Sequence, residues 1–123
     1  MSKMLLSINP EHVENIFRGN KQYEFRKVRC RANIRAIVIY ATFPIMQVVG
    51  EAVVVNIIQD HPERVWALTS ATSGITKQFF DKYFAGKSTA IAYELGEVKQ
   101  YQQPLDLADF GITHAPQSFA YIS

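Results

Sequence analysis

One cysteine in 123 residues, Cys30, leaves no partner for an internal disulfide. That scarcity fits a reducing cytoplasm, where structural disulfides are rare. No run approaches about 18 consecutive apolar residues, so no membrane span is expected. The opening MSKMLLSINPEHVEN lacks the long apolar stretch of a signal peptide. Gly-rich phosphate loops of the Walker or dinucleotide type are absent, as is a Gly-x-Ser-x-Gly elbow. The three histidines, His12, His61 and His114, lie far apart without a ligand spacing, so no metal is expected and each reads as a surface or capping residue. Nothing calls for a cofactor. There is no internal repeat and no low-complexity linker.

What is present is material for one core: 48% apolar residues in a chain of single-domain length, residues 1–123. The net charge of +2 conceals an asymmetry. From Arg18 to Arg35 there are seven basic residues and one acid, Glu24, a net of +6; elsewhere six basic residues face ten acidic ones, a net of −4. A basic segment on an otherwise acidic chain can hold polyanions.

KMLLSI (Lys3 to Ile8) reads as a short strand. Asn9 then suits a helix N-cap, Pro10 the first helical position and Gly19 the C-terminal stop, with Val13, Ile16 and Phe17 at helical spacing. In KQYEFRK the side chains alternate: Tyr23 and Phe25 toward a core, Gln22, Glu24 and Arg26 toward solvent, a cleft or a partner. RAIVIYATF and MQVVGEAVVVNII, apolar on both faces, are central strands joined tightly at Pro44. Asp60 and Glu63 have capping-box spacing for a helix bearing Val65, Trp66 and Leu68. Thr76 caps another helix, with Phe79, Phe80, Tyr83 and Phe84, stopped at Gly86. STAIAYELGEV is a further strand, the tail from Gln100 is mostly irregular, and SFAYI closes as a short strand. Five to six strands with flanking helices predict an α+β fold built on a small mixed β-barrel.

The candidate site follows from the basic segment. Lys21, just after the glycine stop, reaches over a cleft mouth. Glu24 and Arg26 share a strand face, where Glu24 can accept from a base's exocyclic amine while Lys21 and Arg26 hold phosphate or carbonyl oxygens. The competing reading is a surface ion pair of Glu24 with a neighbouring arginine, worth about 0–1 kcal/mol. Lys27, Arg29 and Arg31 extend the phosphate-binding surface. Tyr40 and Tyr93 are candidates for stacking on a base, against a reading of each as core. In an enzyme, Lys21 and Glu24 are the acid/base pair. The partner expected is RNA or a nucleotide-like ligand; an acidic protein meeting the basic patch is the alternative.

LLSINPEHVENIFRGNKQYEFRK resembles the opening of the ASCH domain, the PUA-like family named for activating signal cointegrator homology. The family's mark is a strand, a helix ending in Gly-x-Lys, and a strand ending in a basic residue: here Gly19, Lys21 and Arg26. Glu24-Phe25-Arg26, with YFAGKSTAIAYELGEV and PQSFAYI further on, is similar to the prophage and bacterial branch labelled predicted transcriptional regulators. The resemblance implies a PUA-like barrel with helices beside a cleft, and binding of RNA or nucleotides. One ASCH subgroup deacetylates acetylated cytidine with the lysine of Gly-x-Lys, here Lys21. That subgroup has a threonine where this chain has Glu24. It also uses a distant helical glutamate, for which Glu63 is the nearest match.

Overall fold

The computed structural model describes residues 2–30 and 33–122. The chain runs β1 (Ser2–Ile8), α1 (Pro10–Phe17), β2 (Tyr23–Arg26), β3 (Ile34–Ala41), β4 (Gln47–Asp60), α2 (Pro62–Thr69), α3 (Lys77–Tyr83), β5 (Ala90–Leu105) and β6 (Phe119–Ile122). Short 3-10 turns occupy Ser70–Thr72 and Leu107–Phe110. Among the described residues no helix is long and apolar enough to cross a membrane.

Local chemistry places α1 as expected. Asn9 accepts from the Glu11 N–H, Pro10 opens the helix, and Gly19 ends the turn at φ +82°. Thr76 caps α3 by accepting from the Phe79 N–H at 3.0 Å. The cap of α2 differs from expectation: His61 Nδ1 accepts from the Glu63 N–H, while Asp60 accepts from the His61 N–H and pairs with Arg64. The strand continues through Asp60, so the cap moves one residue on.

Among the described residues the six strands form one mixed sheet in the order β2-β5-β4-β3-β1-β6, in which only β1 and β3 run parallel. The expected barrel is not formed. β2 and β6 lie at opposite edges and share no backbone ladder, so the sheet stays open. It is nonetheless strongly curled. Register shifts in the β3–β4 and β4–β5 ladders let the long β4–β5 hairpin bend. The curl brings the edges close enough for Arg26 on β2 to donate to the Ser7 carbonyl of β1 at 3.0 Å and to the Ser118 carbonyl beside β6 at 3.5 Å.

β5 also corrects the reading of the tail, since it pairs with β4 as far as Leu105. The sequence KQYQQPL carries no apolar alternation, but the exposed half of a hairpin needs only backbone pairing.

Both faces of β1 and β3 are buried, which explains their continuous apolar runs, whereas the apolar run of β4 leaves Val53 and Val55 exposed. Met4, Leu6, Ile8, Ile37 and Ile39 pack against Val13 and Ile16 of α1. Leu5, Val38, Tyr40 and Val48 cover the other face beneath Tyr101, Leu107, Phe110 and Ile112. A third cluster joins Phe25 to Val65 of α2, Phe80 and Phe84 of α3, and Ala90 and Ala92 of β5.

Candidate functional site

Between the end of β1, the first turn of α1, β2 and the start of α3 lies a cleft of about 510 Å³. Its floor is Lys21, Glu24 and Arg26, and its walls include His12, Phe25, Gly74, Phe79 and Tyr83.

Lys21 is placed by backbone on both sides. Its N–H and that of Asn20 donate to the Asn15 carbonyl, and the next residue, Gln22, donates to Thr72 and accepts from Leu95. The side chain is then only 2% exposed. Its Nζ donates to the Ser73 carbonyl at 3.3 Å, stands 3.7 Å from Glu24 Oε1 and lies 4.8 Å over the Phe25 ring. Gly74, at φ +72°, supplies the space for the lysine stem. A Cβ there would sit 2.7 Å from Lys21 Cγ, 2.8 Å from its Cα and closer still to its Cβ. Ser73, buried beside it, donates its hydroxyl to the Ile75 carbonyl at 3.0 Å, which fixes the turn carrying both residues.

Glu24 is 6% exposed, so the alternative of a surface ion pair does not hold. Its carboxylate takes Arg26 Nη2 at 2.9 Å and Nε at 3.1 Å on one oxygen, and faces Lys21 with the other. Two cations against one carboxylate leave the floor with a formal excess of one positive charge. Burial holds the Lys21 ammonium below the ordinary lysine range; Glu24 opposes that shift and Arg26 adds to it. Arg26 is less available than expected. Four of its hydrogen bonds already go to Glu24, Ser7 and Ser118, out of five N–H groups.

His12, expected to be a surface or capping residue, stands in the cleft wall. Its ring meets Phe79 edge-on with centroids 5.4 Å apart, and its Nδ1 is buried without a hydrogen-bond partner. Burial, then Lys21, pushes its pKa below the ordinary 6.5, with Glu24 and Glu11 opposing and Arg26 adding to the fall. A histidine two residues past the Pro10 helix start gives no sequence signal for this; only the approach of α3 encloses it. Phe79 and Tyr83 stack on one side of α3, their rings within 8° of parallel. The aromatic cluster of α3 is thus divided, with Phe80 and Phe84 in the core and Phe79 and Tyr83 on the cleft. Burial raises the Tyr83 pKa.

The other expected contacts fall elsewhere. Lys27 is exposed with its Nζ 4.7 Å over the Tyr83 ring, so it neighbours the cleft wall. Arg29 is exposed and donates to Gln59 at 3.2 Å. Arg31 lies outside the described residues. Tyr93 cannot stack on a base: it is fully buried, and its hydroxyl accepts from the Cys30 N–H at 3.0 Å. Tyr40 is also core, packed on the sheet face opposite α1. Glu63, the nearest match to the subgroup's helical glutamate, is exposed on α2 and does not line the cleft.

No family model matches the chain. It is 28% identical over 120 residues to the ATP synthase subunit alpha of Ureaplasma parvum, covering 97% of this chain but only 15% of that protein's length. With the ASCH domain-containing ribonuclease of Zymomonas mobilis it shares 29% identity over 123 residues, covering 96% of this chain and 82% of that protein. The crystal structure of ASCH from Zymomonas mobilis superposes with a TM-score of 0.89 at 26% identity, over 98% of this chain and 87% of that one. Sequence and fold are similar along nearly the whole chain to an ASCH domain protein, and together they support the ASCH domain family for this chain.

Proposed function

We propose that the cleft binds one nucleotide of a single-stranded RNA. The base lies against Phe79 and Tyr83, Glu24 accepts from an exocyclic amine, and Lys21 donates to a base carbonyl or phosphate oxygen. The observation that carries this reading is the Lys21 ammonium. It is buried on the floor of an aromatic-walled cleft of small-ligand size, where among the described residues it donates to the Ser73 carbonyl at 3.3 Å and faces Glu24 at 3.7 Å, which leaves a donor for a ligand. Titration calorimetry with the common ribonucleoside monophosphates tests it. Lys21→Met, which keeps the apolar stem, should weaken binding about ten-fold or more, in line with loss of a charge-assisted hydrogen bond. Unchanged affinity would remove Lys21 from the site.

A second reading, hydrolysis of RNA, is favoured by the lowered pKa of Lys21 beside Glu24 and by the 29% identity to a protein named as a ribonuclease. A lysine that loses its proton nearer to neutral pH can take one from a ribose hydroxyl, and its ammonium can return one to a leaving oxygen. Removal of the acetyl group from acetylated cytidine is not expected, because Glu24 occupies the position of the subgroup's threonine and Glu63 is away from the cleft. Incubation with labelled RNA and with acetylated cytidine separates the cases. RNA cleavage abolished by Lys21→Met supports the nuclease, whereas deacetylation would overturn the assignment of Glu24.

A further inference from the structure

The turn joining β3 to β4, TFPIM at residues 42–46, carries no charge and places three large apolar side chains in water. Phe43 is 79% exposed, Met46 57% and Ile45 44%, and none belongs to a core cluster. Single exposed apolar residues need no explanation; three within four positions form a patch. The turn is well fixed. Ile45 and Met46 donate their N–H groups to the Thr42 carbonyl at 3.0 and 3.4 Å. Met46 adopts φ +55°, a left-handed conformation uncommon for such a side chain. A fold that holds a strained turn with its apolar side chains outward is arranged for contact.

The turn is joined to the cleft. Thr42 N–H donates to the Ile8 carbonyl at 3.0 Å, Ala41 pairs with Ile8 across the β1–β3 ladder, and Ile8 and Asn9 line the cleft. We infer that this turn is a second nucleotide subsite. On it Phe43 stacks with the base of a nucleotide next in chain to the one in the cleft, and Ile45 and Met46 flank that base. The inference rests on the reading of the cleft as a nucleotide site. RNA is the occupant the observations favour over a protein or lipid surface. A cleft of about 510 Å³ takes a single small ligand, so a longer chain must leave across its rim. An uncharged turn suits the face of a base, and Lys27 stands exposed beside the Tyr83 wall of the cleft for a phosphate. Stacking of this kind tolerates any base.

The test measures a short fluorescein-labelled oligoribonucleotide by anisotropy and the ribonucleoside monophosphates by calorimetry, with the wild type, Phe43→Ala, Phe43→Trp and Lys21→Met. Phe43→Ala should weaken the oligoribonucleotide about ten-fold, the usual effect of losing one stacked base. It should leave the monophosphates unchanged and leave the thermal melt in place, and Phe43→Trp should bind like the wild type. An unchanged oligoribonucleotide affinity in Phe43→Ala overturns the inference and gives the turn to a protein or other apolar partner. Equal losses on both probes overturn it too, because Phe43 would then act within the cleft. If Lys21→Met weakens both probes while Phe43→Ala is silent, only the second subsite falls. If Lys21→Met is also silent, or the wild type binds neither probe, the cleft reading falls with it.

Discussion

Replacing Gly74 by alanine adds one methyl group at the point where the cleft floor is tightest. Two costs arise. The residue sits at φ +72°, where a side chain costs roughly 1–2 kcal/mol. The new Cβ also meets the Cα, Cβ and Cγ of Lys21 inside van der Waals contact. Those atoms cannot swing away, because Lys21 N–H is bonded to Asn15 and Gln22 N–H to Thr72. Overpacking of a fixed neighbour adds roughly 1–3 kcal/mol, so the two effects together give roughly 2–5 kcal/mol. Gly86 is the internal control. It has φ +77° but nothing within 4 Å of an added Cβ, so Gly86→Ala should cost the conformational part alone. Urea melts of both variants measure the difference, and nucleotide binding should be lost only in Gly74→Ala, where Lys21 is displaced. If Gly74→Ala costs no more than Gly86→Ala, the lysine stem is not braced against this turn.

Phe25→Ala should cost about 3–5 kcal/mol in a urea melt, since it empties the centre of a cluster with Phe80 and Phe84. Glu24→Gln should cost a similar amount, about 3–5 kcal/mol, because it leaves Lys21 and Arg26 buried without a counter-charge; a loss below about 1 kcal/mol would mean that solvent screens the group. The His12 prediction concerns pH. Its folded pKa is below its unfolded 6.5, so between those values the unfolded chain binds more protons. Stability contributed by neutral His12 is therefore full above 6.5 and is lost as pH falls toward the lower value. His12→Gln should flatten that part of a plot of unfolding free energy against pH, and an unchanged slope would show that the ring is not enclosed as described.

Much of this architecture could be read locally. Asn9, Pro10 and Gly19 fix α1 through caps whose partners lie within a few residues, and Thr76 does the same for α3. The doubly apolar β3 is covered on both faces as its pattern implies, while the equally apolar β4 leaves Val53 and Val55 exposed. What local pattern does not carry is pairing at a distance. The polar half of β5 is a strand because β4 offers it a ladder, and nothing in KQYQQPL says so. The barrel failed to close for a similar reason: closure depends on whether two edges meet in register, which is a property of the accumulated curl. In the candidate site, the grouping of Lys21, Glu24 and Arg26 on one cleft is legible from one strand and its preceding turn. Their burial is not, since it is imposed by Gly74 and α3, some fifty residues later. The enclosure of His12 escapes the sequence for the same cause, and Tyr93 stays open between core and stacking there because a polar ring in an apolar strand looks alike whether its hydroxyl meets a ligand or the Cys30 backbone.

The reach of Arg26 to Ser7 and Ser118 has a kinetic consequence. The two margins of the sheet are held together by a side chain and not by a ladder, so they can part without unzipping any pair of strands. β2 is four residues long and has a single neighbour, so it has the least to lose on detaching. Its amides should exchange with solvent well before those of β3 and β4, through openings smaller than global unfolding. Since β2 carries Glu24 and Arg26, each such opening dismantles the floor, and a bound ligand must suppress it. The same latch should engage late in folding, for it needs strands distant in the chain to be in place first. The cleft floor should then be completed after the central ladders of the sheet.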